Sequence, residues 1–382
     1  MRRANPLGAS PCAIPSPVSP LDPPIMLQPD PHALGSNPIA TSARSTVATD
    51  GWTTAARHLD ELGGGLERAL DLEERLGDAA RHHLATGGKR LRGRLALATG
   101  LGLGLPMEQS LAPAIAVELL HNASLIHDDL QDADRQRRGA PAVWAKFDKP
   151  TALLLGDAMI AASFEALTSG ASPRLAEQVR LLSTCITGLA AGQCSDGARG
   201  EPLPRTIAAY EALSRAKTGL LFTLPAELVM LRWTSDAVAL AAARESLELV
   251  GIAFQIHDDL ADVFGTKGRA VGSDLRCNRL SAPVLFHELG ERPRPRSING
   301  GSRFDGVPLE KQAEIIRRGP GVGLAMQHQQ VVIQRAAAAA RVLPAGLRDV
   351  IAGLARDVLA ASSRLAALDE TSAQLNRAGS VH

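Results

Sequence analysis

From Trp52 onward, apolar and polar positions alternate with a period between three and four residues, the signature of amphipathic helices. Residues 53 to 86 keep this spacing, with an interruption expected at Gly63-Gly64-Gly65 and an end at Gly87-Gly88. A helix over about 89 to 102 opens on Lys89-Arg90-Leu91-Arg92; the next starts near Pro106, a residue favoured in a first turn, and carries on through an aspartate cluster. Residues 135 to 149 read as a loop holding Arg135, Arg137, Arg138 and the turn signal Gly139-Ala140-Pro141, after which Asp148 caps a new helix. Helices are predicted at roughly 150 to 169, 173 to 197, 204 to 232 and 235 to 264. Loops over 265 to 283 and 291 to 308 separate these from closing helices near 321 to 342 and 345 to 364.

Residues 1–50 break the pattern. They are rich in Pro, Ser, Ala and Thr, and such a segment buries too little apolar surface to offset its ordering entropy, so a disordered extension is expected. One folded domain is expected over 51–366, followed by a polar tail over 367–382.

Composition agrees with helices. Hydrophobic residues make up 45% of the 382, enough for a large core, but aromatics only 3%, while Ala, Leu and Arg abound, so the fold class is all-α. A net charge of +1 provides no basic field for nucleic acid, which is excluded as a partner. Cys12, Cys185, Cys194 and Cys277 show no CxxC or ligand spacing and read as reduced thiols of a cytoplasmic protein. No uncharged run of eighteen apolar residues suggests a transmembrane span, and the proline-broken N-terminus lacks the apolar run of a secretory signal.

One stretch is written twice: Ile126-His127-Asp128-Asp129-Leu130-Gln131-Asp132, and again Ile256-His257-Asp258-Asp259-Leu260-Ala261-Asp262. The flanks do not match, so the repetition is chemical rather than architectural. At about 100° per residue, Asp128 and Asp132 project about 40° apart, with His121 within about 20° of both. In the second copy Asp259 and Asp262 project about 60° apart, and Gln255 joins them. A single DDxxD is commonly a solvated acidic helix face, but two copies in apolar helices point to one metal site with two walls. Oxygen ligands are hard and suit Mg²⁺, which keeps waters and takes substrate phosphate oxygens. Lys89, Arg92, Arg137, Arg138 and Lys217-Thr218, all at helix ends or loops, supply cations for such phosphates. Gly87-Gly88-Lys89 is not a phosphate-binding Walker loop, because the earlier glycine is missing and Arg90 stands where Ser or Thr is needed.

Together these segments resemble the trans-type polyprenyl synthases, the isoprenyl diphosphate synthases that include the farnesyl and geranylgeranyl enzymes. The matching stretches are GGKRLRG from Gly87, HNASLIHDDLQDADRQRRG from His121, GDAMIAASFEAL from Gly156, GQCSD from Gly192, KTG from Lys217, FQIHDDLAD from Phe254 and GSDLRCNRLSAP from Gly272. The resemblance implies an antiparallel helical bundle around a central cavity (the isoprenoid synthase fold), usually a homodimer, that condenses isopentenyl diphosphate head to tail with an allylic diphosphate. It implies Mg²⁺, roughly three ions in the substrate-loaded site, held by Asp128, Asp129, Asp132, Asp258 and Asp262. By the same carry-over Lys89, Arg92, His121 and Arg138 bind isopentenyl diphosphate. Arg137, Lys217, Thr218, Gln255, Arg269 and Arg279 bind the allylic diphosphate, and Asp128, Asp132, Asp258 and Lys217 are the catalytic set.

Gly93 departs from a usual Pro, Arg269 and Arg279 from lysines, and Leu280 from a basic residue. The small Ala123 and Ser124 stand where an aromatic would stop growth at the farnesyl length. With Leu120 a turn deeper, the expected product is geranylgeranyl diphosphate, and a farnesyl or medium-chain product is the alternative. A class I terpene cyclase, which would expect a different second metal motif, is the rival from another class.

Overall fold

A computed structural model describes residues 50–197, 205–266, 272, 280–290 and 307–379, with side chains except at 194–197, 217 and 368–379. The chain divides into two units, Met1–Val47 and Ala48–His382, and all the described residues belong to the second. The expected N-terminal extension up to residue 49, Arg269 and Arg279 lie outside the described residues.

Asp50 opens the first helix, α1 (Gly51–Ala55), by accepting from the Trp52 N–H. A 3₁₀ turn leads into α2 (Leu59–Ala69), which runs straight through Gly63-Gly64-Gly65 rather than breaking there. Packing gives the reason: a Cβ on Gly63 would lie 2.4 Å from the Arg90 guanidinium, which passes over it to donate to the Leu59 carbonyl at 2.7 Å. The break falls instead between α2 and α3 (Glu74–Ala85). Next come α4 (Leu91–Gly102) and the long α5 (Met107–Gln131).

The loop expected after α5 contains a minimal antiparallel ladder, β1 (Gln136–Arg137) with β2 (Ala140–Pro141), and the short α6 (Val143–Lys146). Among the described residues this is the one exception to the all-α expectation, too short for periodicity to reveal. α7 (Lys149–Thr168), capped by Asp148, is followed by α8 (Leu175–Gly197). The helix expected over 204–232 is divided: α9 (Ile207–Ser214), a π-helical turn Arg215–Gly219, and α10 (Leu220–Trp233).

α11 (Ala237–Val263) starts from the Asp236 cap. The short α12 (Ala282–Gly290) and α13 (Leu309–Arg318) are additional to the expected helices. α14 (Gly321–Ala339) and α15 (Ala345–Gly379) close the chain. α15 continues well past the boundary expected at 366, because the Ala, Leu, Glu and Gln beyond it are helix formers and no Gly or Pro intervenes before Gly379.

α5 packs against α4, α7 and α10, and α11 packs against α10, α14 and α15. α10 lies between the two and is buried from Leu221 to Leu231, as expected of a helix apolar on every side. Each large apolar side chain so buried contributes about 1.5–3 kcal/mol. α5 and α11 each carry an aspartate cluster at the C-terminal end, so the core fixes both walls of the site. By length and composition alone α7 is apolar enough to cross a membrane. Half of that span is buried against the protein, however, with α5 as its main neighbour, as befits a core helix.

Candidate active site

The cationic half of the site begins in the Gly87–Arg90 loop, where Gly87, Gly88 and Arg90 all have positive φ and turn the chain sharply into α4. Arg92, in the first turn of α4, donates from Nη1 to His121 Nε2 on α5 at 3.1 Å and lies over the Phe222 ring at 5.7 Å. Because Nε2 accepts, the neutral His121 carries its hydrogen on Nδ1, and that buried atom has no partner among the described residues. Burial, then the charges of Arg92, Arg138 and Arg137, hold the His121 pKa well below the usual histidine range. His121 is thus a neutral donor awaiting an acceptor.

Arg138 joins this group from the hairpin. Arg138 and Gly139, at φ 53° and 80°, form the two-residue turn between β1 and β2. A Cβ on Gly88, whose φ of 145° already favours glycine, would lie 2.6 Å from the Arg138 guanidinium, so the loop and that guanidinium approach closely. Neither Lys89 nor Arg138 hydrogen-bonds or ion-pairs with a described residue. Burial lowers the pKa of Arg92 and of Arg138, for the latter with help from Arg137. Such under-compensated cations favour an anion between them.

The two aspartate clusters follow a shared plan. The middle carboxylate of each is buried and tied to protein: Asp129 is 2% exposed and receives the Arg137 Nε at 3.0 and 3.1 Å, with Nη2 also bonded. Burial opposes the Arg137 charge, but Asp129 outweighs it and raises the arginine pKa. Asp259, 3% exposed, accepts from Tyr210 Oη at 2.8 Å, Gln255 Nε2 at 2.7 Å and the Ala282 N–H at 2.9 Å.

The outer carboxylates differ. Asp128 and Asp258 are half-buried, Asp132 is exposed, and neither Asp132 nor Asp258 accepts a hydrogen bond from a described side chain. Asp262 is buried. Asp258 also lies within electrostatic reach of Arg92, which brings the second cluster to the cationic half.

Several expected ligands have other engagements. Arg137 and Asp129 satisfy each other, and Gln255 is shared between Asp259 and Thr218, whose Oγ1 donates to Gln255 Oε1 at 2.8 Å. Thr218 belongs to the π-helical turn, a feature frequent at functional sites. The Lys217 side chain lies outside the described ones. Ala123 and Leu120 are buried on α5, whereas Ser124 is half-buried and donates to the His121 carbonyl.

The histidines preceding the clusters are engaged within the protein: His127 donates to the Leu153 carbonyl at 3.2 Å, and His257 pairs with Ser362 at 3.2 Å.

Sequence reasoning missed a buried layer behind these groups. Glu118, one turn before His121, accepts from the Gly93 N–H at 2.8 Å, a donor that the usual proline would lack; burial raises its pKa. His83 donates to Asn122 Oδ1 at 2.9 Å, and Asn122 donates to the Glu118 carbonyl. A charged Glu118 in the otherwise apolar run from Leu111 to Leu120 was the available signal. Tyr210 offered none.

Among the described residues, no three His, Cys, Asp or Glu side chains converge to cage a metal. The set still fits Mg²⁺, because Asp132 and Asp258 offer oxygen ligands not committed elsewhere, and Mg²⁺ usually fills its remaining positions with water and phosphate.

Residues 73–297 match the family model described as Polyprenyl synthetase. The chain belongs to the polyprenyl synthetase family. This polyprenyl synthetase is 31% identical over 268 residues to the short chain isoprenyl diphosphate synthase of Methanocaldococcus jannaschii, covering 68% of this chain and 81% of the relative. It is 35% identical over 241 residues to the farnesyl diphosphate synthase of Escherichia coli, covering 59% and 80%. The geranylgeranyl pyrophosphate synthetase structure from Pyrococcus horikoshii superposes with a TM-score of 0.69 at 27% identity, over 81% of this chain and 98% of that one. The fold is therefore the all-α isoprenoid synthase fold, and the protein is a prenyltransferase, a member of a family whose type is Mg²⁺-dependent.

Proposed function

We propose that this polyprenyl synthetase condenses isopentenyl diphosphate head to tail with an allylic diphosphate and releases geranylgeranyl diphosphate. The observation that carries this reading is the pairing of an under-compensated cationic group, Lys89, Arg92 and Arg138, with uncommitted carboxylates at Asp132 and Asp258. A diphosphate needs the first directly, and through a cation the second.

In this reading Lys89, Arg92, Arg138 and the Nδ1–H of His121 hold isopentenyl diphosphate. Asp128, Asp132 and Asp258, with Asp262 beside them, hold Mg²⁺, roughly three ions when substrate is bound. Those ions supply charge to the departing allylic diphosphate. Lys217, Arg269 and Arg279 add cations to the same group. Asp129 and Asp259 serve mainly as anchors, supported by their burial and full engagement: Asp129 fixes Arg137 and the hairpin, and Asp259 fixes Gln255, Thr218 and α9.

The apolar walls keep water from the allylic cation until the isopentenyl double bond attacks, and the proton lost afterwards passes to the released diphosphate. Small residues at Ala123 and Ser124 leave room for a longer chain, with Leu120 beneath. The exposed Leu153 and Leu154 on α7 support a homodimer that covers them.

Incubation with isopentenyl diphosphate, Mg²⁺ and dimethylallyl, geranyl or farnesyl diphosphate, with product length read by mass, tests the proposal. A geranylgeranyl product supports it. Growth that stops at farnesyl diphosphate, the activity named for the Escherichia coli relative, contradicts the assigned length, and a cyclised hydrocarbon contradicts the reaction.

A further inference from the structure

Arg138 is an arginine in left-handed backbone conformation, which an L-residue keeps only where the turn and its neighbours enforce it. The ladder beneath its turn is two residues long, too little to hold it alone. Three other contacts fix the loop. His82 Nε2, on α3, donates to the Pro141 carbonyl at 2.8 Å, and Lys146 Nζ donates to His82 Nδ1 at 3.0 Å. That pair of bonds defines one neutral tautomer, and the ring meets Phe147 edge-on at 5.9 Å. Just before β1, at the base of the hairpin, the Asp134 carbonyl accepts from the Trp144 indole N–H at 2.7 Å, with Arg135 5.3 Å from the ring. Asp129 and Arg137 pin the base.

We propose that His82 and Trp144 are positioning residues for the isopentenyl diphosphate site, His82 holding the 136–141 hairpin at Pro141 and Trp144 closing its base at Asp134, so that Arg138 stays against Gly88. The proposal rests on the reading of Arg138 as a ligand of that diphosphate. Neither residue reaches the reacting atoms; each acts through the position of one guanidinium. Losing a clamp therefore weakens one substrate and spares the other, since the Asp129–Arg137 pair keeps the first aspartate wall in place.

Steady-state kinetics of the full-length chain with Mg²⁺, varying each substrate separately, test this. His82→Leu and Trp144→Phe, on different elements, are each expected to raise KM for isopentenyl diphosphate roughly tenfold, with kcat and the allylic KM changed by less than about twofold. His82→Gln, which keeps a donor and an acceptor, is expected to restore KM. Circular dichroism and thermal melts confirm that each variant is folded. Unchanged KM in both disruptive variants, equal increases for both substrates, or a His82→Gln as impaired as His82→Leu would each overturn the proposal. No turnover by the wild-type chain would instead overturn the functional reading beneath it.

Discussion

The hydroxyl of Tyr210, the only tyrosine in the chain, donates at 2.8 Å to Asp259, the middle carboxylate of the second cluster. Both groups are buried, and burial, then the charge of Asp259, raises the Tyr210 pKa well above its usual value. Asp259 also receives Gln255 and the start of α12, so one carboxylate ties α9, α11 and α12 together.

Tyr210→Phe leaves Asp259 with one donor fewer in a site without solvent. A loss of about 1–3 kcal/mol in unfolding free energy is expected from urea titration, because a buried carboxylate left short of donors is costly. A variant as stable as wild type would show that another donor substitutes.

The His83–Asn122 pair makes stability depend on pH. Burial, against the favourable Asn122 bond, lowers the His83 pKa from 6.5 to about 4. Between these values the unfolded chain binds a proton that native His83 does not. This contribution is therefore fully present above about pH 6.5 and is lost as pH falls toward 4. His83→Gln keeps a donor for Asn122 and does not titrate. Between pH 7 and 5, wild type is expected to lose about 2 kcal/mol more unfolding free energy than the variant, and parallel losses would contradict the assignment.

Ala123 has no exposed surface. Ala123→Phe must displace neighbours, at a cost of about 1–3 kcal/mol, and is expected to shorten the product. A destabilised enzyme with an unchanged product would place the floor of the tunnel elsewhere, with Ser124→Phe the next position to test.

Leu153 and Leu154 are 50% and 54% exposed on α7, whose opposite face packs into the core. If a second copy covers them, Leu154→Glu converts a dimer to a monomer by light scattering. A wild-type monomer, or an unaffected dimer, would remove this face from the interface.

The aspartate pairs and the Gly-Gly-Lys-Arg loop were legible in the sequence because short, dense motifs announce their chemistry. Division of labour within each pair was not, since helical geometry gives direction but not partner: Asp129 meets Arg137 across a hairpin, and Asp259 meets Tyr210 from α9. Tyr210 and the His83–Asn122 pair depend on contacts between distant segments, which leave no local trace. The triple glycine misled for a similar reason, because the Arg90 guanidinium that passes over Gly63 lies well ahead in the chain.

The most direct test of the account is the Mg²⁺ dependence of isopentenyl diphosphate incorporation by wild type and by Asp258→Asn, which keeps the shape of the side chain but removes its charge. Turnover that requires Mg²⁺ in wild type and falls by about a thousandfold or more in the variant is the predicted result. Incorporation at the wild-type rate by Asp258→Asn, or in the presence of excess chelator, would contradict the claim that the two aspartate clusters form the walls of a single prenyl-transfer site.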